Sequence, residues 1–404
     1  MKICYLTRDY VTESNYGGIA TYIYNTAKYL VKHGNQVHVI CEGNRTRYYK
    51  HENIHIHAIR PNYFWEKFPN IERGYIARKV PSLFYGWFFN FLAYKTLKKL
   101  HQKINFDIIE SEDGAGIGLL PTYNKSMRVI TRFHTPWTLA DQLDNIKRNI
   151  IDSKANKYFE RKQFLRSFRL NSDSCSLKKE INRIYNIPLN NIDVLYYGID
   201  INKIINQSRK NNILKKKIKE KYILYFGRIE ERKGIKTLAK AMPKIFGKYK
   251  NIDLLLVGNE SYDKNHLKKY LVEKNKKYTN RINFMPRQSP EILFPIIAEA
   301  EIIILPSNWE AFGYTCLESM ALGKIVIATS GSGFEEQIQR NGKNGYLFEP
   351  ENHKELTKKI LYVLKLSKKE KKKIEDNAKK RAKEFDNKHY TKKLLGYYTK
   401  IIKK

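Results

Sequence analysis

Short apolar runs alternate with one-sided helical stretches along this chain, and glycines mark most of the changes from one to the other. Residues 2–7 (KICYLT) read as a strand, and residues 19–32 carry Ile19, Ile23, Ala27, Leu30 and Val31 on one helical face. Gly34 stops that helix, and residues 36–41 (QVHVIC) form the next strand. Further strands are expected over 54–59, 106–110, 128–133 and 193–197. A second series repeats the grammar, with strands over 222–226, 253–257, 281–285, 302–305 and 324–328 and a helix over 235–246. Strand–glycine loop–helix–strand repetition predicts an α/β chain built of two Rossmann-like domains. The first spans 1–200 and the second 201–385, with a polar linker over about 199–221 and a closing helix over 386–404. The lysine-rich end from Leu356 onward reads as one or two amphipathic helices, whose stripe would be Phe385, Leu394, Leu395, Tyr398 and Ile401.

Length and composition agree with that division. A chain of 404 residues with 42% hydrophobic content supports two buried cores. Cys4, Cys41, Cys175 and Cys316 share no metal or redox spacing, which fits reduced thiols. The opening MKICYLTRDY lacks the apolar core of a signal peptide, and no segment holds the ~20 apolar residues of a spanning helix. A cytoplasmic protein is therefore expected, with a position at the inner membrane face as its variant.

The net charge of +36 admits nucleic acid, an anionic membrane surface, or the residue bias of an AT-rich genome. Lysines run the whole length and no nucleic-acid-binding signature is present, so genome bias accounts for most of the charge. Membrane attraction stands second. The aromatic and basic stretch over 61–100 bears on it. Phe64, Trp65 or Trp87 beside Lys67, Arg78 and Lys79 would suit a bilayer interface, whereas burial is the expectation for 84–91.

The chemistry concentrates in two places. In PSNWEAFGYTCLESMALGKIVIA, residues 306–328, Glu310 stands in a loop and Glu318 on a helix, with Ala311, Phe312, Gly313, Tyr314 and Thr315 between. Free N–H groups where that loop enters the helix suit phosphate or sugar oxygens, and the two carboxylates suit hydroxyls on either side. A solvated helix face is the plainer explanation of two such glutamates, but this pair lies between two strands and beside a glycine. In GRIEERKG, residues 227–234, Arg228 and Lys233 are five apart across a strand–helix loop and can converge on one diphosphate.

These two motifs resemble the E-x7-E and Gly-Arg…Lys-Gly signatures of retaining glycosyltransferases of the GT-B fold, glycosyl transferase family 4 (group 1). The resemblance spans nearly the whole chain and is loose over 48–100. It implies two Rossmann-like domains facing across a cleft, with the last helix packing on the first domain. It implies a nucleotide diphosphate sugar donor, UDP- or GDP-linked, and transfer of a hexosyl group with retention, without metal or other cofactor. Glu310 would bind donor-sugar hydroxyls and Glu318 the nucleotide ribose. Arg228 and Lys233 would stabilise the leaving diphosphate.

His134, after the strand RVITRF, matches the family's strand-end histidine that contacts the donor sugar; Gly17 and Gly18 match its glycine pair at the cleft mouth. Gly258 resembles the turn under the nucleotide, and Arg287 falls where the base is met. The acceptor would be a glycan or lipid-linked glycan, as in surface polysaccharide assembly. One departure is SGSGFEEQI, which lacks the proline of the family's Gly-Gly-x-Pro-Glu run and leaves Glu335 and Glu336 without a carried-over role. Rival readings are an epimerase or phosphorylase on the same architecture and, in another class, a basic nucleic-acid-binding protein.

Overall fold

The computed structural model describes residues 1–13, 17–61, 82–144, 146, 149–209, 221–260, 266–339 and 341–403. The chain forms two compact units. One is Met1–Gly198 with Asn387–Lys404, and the other is Ile199–Asp386.

The first unit carries eight strands: β1 (Lys2–Leu6), β2 (Gln36–Glu42), β3 (Arg47–His51), β4 (Ile54–Ile59), β5 (Ile108–Glu112), β6 (Val129–Phe133), β7 (Arg169–Ser172) and β8 (Ile192–Val194). Their order is β3-β4-β2-β1-β5-β6-β7-β8, and all pairs are parallel except the β3–β4 edge. Parallel strands covered on both faces normally read as apolar runs. Here β5 (IIESE) and β6 (VITRF) are buried at every position although they contain Glu110, Ser111, Glu112 and Arg132. That polarity is why the expected strand over 106–110 ended two residues short. The β3 edge (RYYKH) and β7 (RLNS) escaped the periodicity for the same reason, and β8 is shorter than the expected 193–197.

The closing helix, Asn387–Ile402, belongs to the first unit and packs on the helix Gly18–Lys32. Its buried side is Tyr390, Thr391, Leu394, Tyr398 and Ile401, with Leu395 only half-buried. Phe385 is not on that helix. It precedes it and lies in the second unit, 5.9 Å from the Phe312 ring.

The second unit is a six-stranded parallel sheet in the order β11-β10-β9-β12-β13-β14. Its strands are β9 (Lys221–Phe226), β10 (Ile252–Val257), β11 (Ile282–Met285), β12 (Ile302–Leu305), β13 (Val326–Thr329) and β14 (Tyr346–Phe348). The core is aliphatic: Ile223, Leu254, Leu256, Ile302, Ile304 and Ile327 meet Leu238, Met242 and Ile245 of the helix Ile235–Lys248. The stretch read as a linker contains a helix, Ile201–Ser208, capped by the Asp200 carboxylate, which accepts from the Lys203 N–H at 2.9 Å. Residues 210–220 of that linker lie outside the described residues.

The lysine-rich end contains three helices instead of one or two: His353–Lys365, Lys368–Lys383 and the closing helix. A reciprocal Ser367–Glu370 capping box starts the middle one and separates it from its predecessor.

Phe64, Trp65, Lys67, Arg78 and Lys79 lie outside the described residues. In the helix Ser82–Ile104 that follows, Phe89, Ala93 and Leu97 are fully buried, while Phe88 and Phe91 are exposed. Among the described side chains of 84–91, burial therefore holds for Phe89 and Asn90 and not for Phe88 or Phe91. Among the described residues no helix is long and apolar enough to cross a membrane.

Candidate functional site

In the second unit the strand ends build one loop cluster. The turn after β9 is tied to the turn after β10, because the Gly227 N–H donates to the Val257 carbonyl at 3.0 Å and the Ile229 N–H to the Asn259 carbonyl at 2.9 Å. Gly258 is needed there, since any side chain would run into the Gly227 carbonyl. Gly234, at φ +70°, brings the GRIEERKG loop against the end of β12, where a Cβ would strike the Pro306 carbonyl. The Asn308 N–H then donates to the Arg232 carbonyl at 2.7 Å. These close approaches bring Lys233 and Glu310 together as an ion pair, with side chains 16% and 15% exposed. Ser307 Oγ donates to Glu310 Oε1 at 3.4 Å.

Arg228 does not join that pair. Its side chain is 62% exposed, and its guanidinium lies 3.2 Å from Glu230, which also holds Arg232 at 3.3 Å. The arginine is thus on the same loop as Lys233 and open to solvent.

Past Glu310 the loop turns into the helix Tyr314–Ala321. Gly313 is its N-cap and supplies no side chain, so the first N–H groups keep their positive end uncapped by any side chain. Ala311 and Phe312 are buried, and what they offer a ligand is backbone. Gln337 Nε2 fixes that backbone by donating to the Phe312 carbonyl at 2.6 Å. Tyr314 and Thr315 are half-buried in the first turn. One turn further, burial pushes the Glu318 carboxyl up to about 7. Arg287 is exposed, with its N–H on Asn259 Oδ1 at 3.0 Å, so it is joined to the Gly258 turn through backbone. In SGSGFEEQI, Glu335 accepts from the Gly331 N–H at 2.8 Å and closes the turn before the short helix Phe334–Gln337.

The first unit offers a different kind of site. His134 follows β6 directly and is buried; its N–H donates to Asp113 Oδ2 at 2.9 Å and its Nδ1 is hydrogen-bonded to the Tyr197 hydroxyl. Burial first, and Arg132 second, hold its imidazole well below the usual histidine range. Burial also pushes the Asp113 carboxyl well above its ordinary value. Glu112, accepting from Thr7 Oγ1 at 2.9 Å and the Arg8 N–H at 3.1 Å, is raised to about 7 by burial and then by Asp9.

Beside these carboxyls lies a cavity of about 420 Å³, lined by Arg8, Glu13, Glu42, Asp113, Trp137 and their neighbours. Arg8 is clamped by Glu42 and Asn90, each at 3.0 Å, so the lining is predominantly acidic. Gly17 and Gly18 stand at the start of the first helix, and among the described residues no atom beyond their chain neighbours and the helix's own backbone lies within 4 Å of a Cβ added at either.

Ser307 and Tyr197 are site residues that sequence reasoning did not single out. Glu112 and Asp113 belong to the EDGAG turn over 112–116, at a parallel strand's carboxyl end where α/β ligand sites gather, which the sequence reading offers to the acceptor. Tyr197 carried no signal, since its neighbour His134 is 63 residues away.

The chain is similar to known proteins along most of its length. The model for glycosyl transferases group 1 matches residues 206–381, and that for glycosyltransferase family 4 matches residues 16–203. An uncharacterized glycosyltransferase of Methanocaldococcus jannaschii is 27% identical over 366 residues, 87% of this chain and 86% of that one. D-inositol 3-phosphate glycosyltransferase of Rhodococcus erythropolis is 26% identical over 222 residues, 53% and 50% of the two chains. Among solved structures, sucrose-phosphate synthase from Thermosynechococcus elongatus superimposes with a TM-score of 0.77 at 18% identity, over 99% of this chain and 98% of that one. Anabaena HepE in complex with UDP and glucose gives 0.73 at 18% identity over 99% of both chains. The fold is GT-B.

Proposed function

This chain belongs to the group 1, family 4 glycosyltransferases, and we propose that it moves a hexosyl group from a nucleotide diphosphate sugar to a glycan or lipid-linked glycan, with retention of configuration. The observation that carries the reading is the meeting of Lys233 and Glu310 beside the uncapped start of the helix Tyr314–Ala321. A cation, a sugar-hydroxyl acceptor and the positive end of a helix on adjacent backbone are what a glycosyl diphosphate requires.

On this reading the diphosphate binds Lys233 and the solvent-open Arg228, and Glu310, relieved of part of its lysine, accepts from donor-sugar hydroxyls. Glu318 accepts from the ribose, and Arg287 with Gly258 lies under the base. Charge growing on the departing diphosphate is met by the cations of Lys233 and Arg228 and by a helix dipole, so the chemistry does not call for a metal. The departing phosphate itself takes the acceptor's proton, and no separate base is assigned.

The acceptor enters over the first unit, past Gly17 and Gly18, with His134 toward the transferred sugar. Its acidic cavity favours hydroxyl-rich groups, because carboxylates accept hydrogen bonds and repel phosphate. Exposed Phe88 and Phe91, followed by exposed Lys95, Lys98 and Lys99 on the same helix, support adsorption to the inner membrane face during surface polysaccharide assembly.

The test is transfer from a panel of UDP- and GDP-sugars to oligosaccharide acceptors, with and without EDTA, and with the product's anomeric configuration read by NMR. Wild type should give a retained linkage unaffected by chelation. An Arg228→Asp variant that transfers at the wild-type rate, or an inverted product, sinks the proposal.

A further inference from the structure

Two ionic side chains in the first unit lie too deep to touch any substrate. Arg132 has no exposure at all, and Glu110 has 2%. A buried guanidinium normally spends all its N–H groups on oxygen. Arg132 donates one to the Leu195 carbonyl, while among the described residues its Nε and Nη1 have no hydrogen-bond partner. Its charge is met by aromatic rings instead, at 5.1 Å from the centre of Tyr22 and 5.3 Å from that of Tyr197. The two rings are themselves 4.8 Å apart.

Each ring leads somewhere. Tyr197 is hydrogen-bonded to Nδ1 of His134. Tyr22 donates to Glu110 Oε1 at 2.7 Å and lies 3.0 Å from the Tyr390 hydroxyl; Tyr398 donates to Glu110 Oε2 at 2.5 Å. Tyr390 and Tyr398 both stand on the closing helix. An unbroken set of contacts therefore runs from that helix, through Glu110, Tyr22, Arg132 and Tyr197, to His134.

The direction of the last hydrogen bond decides what His134 can do. Should Nδ1 donate to the phenol oxygen, Nε2 is a bare base. Should the phenol donate to Nδ1, the imidazole carries its proton on Nε2 and is a hydrogen-bond donor. A cation against the face of the Tyr197 ring draws electron density from the phenol, strengthening its O–H as donor and weakening its oxygen as acceptor. The same cation opposes a second proton on the imidazole.

We propose that Arg132 is a positioning residue, which through Tyr197 holds His134 neutral with its proton on Nε2, and that Tyr390 and Tyr398 of the closing helix hold Arg132 in place. His134 then serves the reaction as a donor to an oxygen and not as a base. This role in turnover rests on the glycosyltransfer reading, whereas the state of the imidazole is decided without turnover.

The experiment is nitrogen-15 NMR of the full chain with labelled histidine, with the His134 signals assigned by loss in His134→Gln. Wild type should show Nδ1 as an unprotonated, hydrogen-bonded nitrogen and Nε2 as a protonated one. Tyr197→Phe and Arg132→Met should convert this to mixed tautomers, Arg132→Lys should restore much of the wild-type pattern, and Tyr390→Phe should move it in the same direction by less. If Arg132→Met fails to fold, Tyr197→Phe, Arg132→Lys and Tyr390→Phe decide. In transfer assays the folded Arg132 variants should lose kcat, by up to about 10²-fold, with donor KM little changed. A wild-type proton on Nδ1, or His134 signals indifferent to Tyr197→Phe and to both Arg132 variants, overturns the proposal. An enzyme inactive toward every nucleotide sugar would sink the proposed function and leave the NMR result to stand on its own.

Discussion

The two units have similar parallel sheets and opposite interiors. Among the described residues the first unit buries Glu110, Glu112, Asp113, Arg132, Asp152, Glu160 and Asp173, whereas the second buries one comparable group, Arg232. In the second unit β9, β10, β12 and β13 are almost wholly apolar, and ions are confined to loops at the strand ends. In the first unit β5 and β6 carry ions inside the sheet. The difference teaches that one site is mounted on a frame that does not depend on it, and the other is part of its frame. Substitutions at the donor loops should cost activity and little stability; substitutions under His134 should cost both.

The largest effect expected is at Lys233. Lys233→Ala should lower transfer by roughly 10²–10³-fold, the size of losing one preorganised donor to developing charge, while thermal unfolding shifts little. A large fall in the unfolding midpoint would erase the contrast between the units.

Glu110 tests the other side. Glu110→Ala takes the acceptor from the buried Tyr22 and Tyr398 hydroxyls and a nearby negative charge from buried Arg132, and should cost about 3–5 kcal/mol in urea unfolding. The matching change in the second unit, Glu230→Ala, removes a partner from the solvent-open Arg228 and the largely buried Arg232 and should cost less than half as much. Equal costs would show that burial of the carboxylate is not what separates the units.

A smaller effect follows from His38, His55 and His57 on β2 and β4, whose rings stack at 4.3 and 5.3 Å around His38. Burial first and neighbouring histidines second lower His38 to about 3 and His57 to about 4, from an ordinary 6.5. Each binds its proton more weakly folded than unfolded. Their contribution is therefore complete above 6.5 and is lost as pH falls from there toward 3–4. Acidification should lower the midpoint of the first unit in that window, and His38→Gln should flatten the dependence. An unchanged slope in the variant would refute it.

The smallest concerns Glu318. With its carboxyl near 7, nucleotide affinity should weaken modestly as pH falls from 8 to 6, and Glu318→Gln should bind weakly at both. A pH dependence that survives in Glu318→Gln assigns it to another group.

Much of the second unit was legible in the chain because its physics is regular. Residues 302–305 and 222–226 are apolar runs bounded by glycine or proline, and loop glycines stand where backbones touch. The GRIEERKG and E-x7-E loops could therefore be placed at strand ends, although the exchange of Lys233 toward Glu310 and of Arg228 toward Glu230 depends on loop packing that no spacing reveals. The first unit hid more. The partners of Glu110, Glu112 and Arg132 could not be read from the chain, because Tyr22, Thr7, Tyr197 and Tyr398 are distant in it. A buried polar residue is recognisable only with its partner, and pairing across 288 residues leaves no local pattern.

The account stands on diphosphate recognition by the second unit, and calorimetric titration of UDP and GDP into wild type, Lys233→Ala and Arg228→Ala tests it most directly. One nucleoside diphosphate should bind per wild-type chain, with affinity lowered at least tenfold, about 1.4 kcal/mol, in each variant. No binding to wild type, or affinities the two variants leave unchanged, would contradict it.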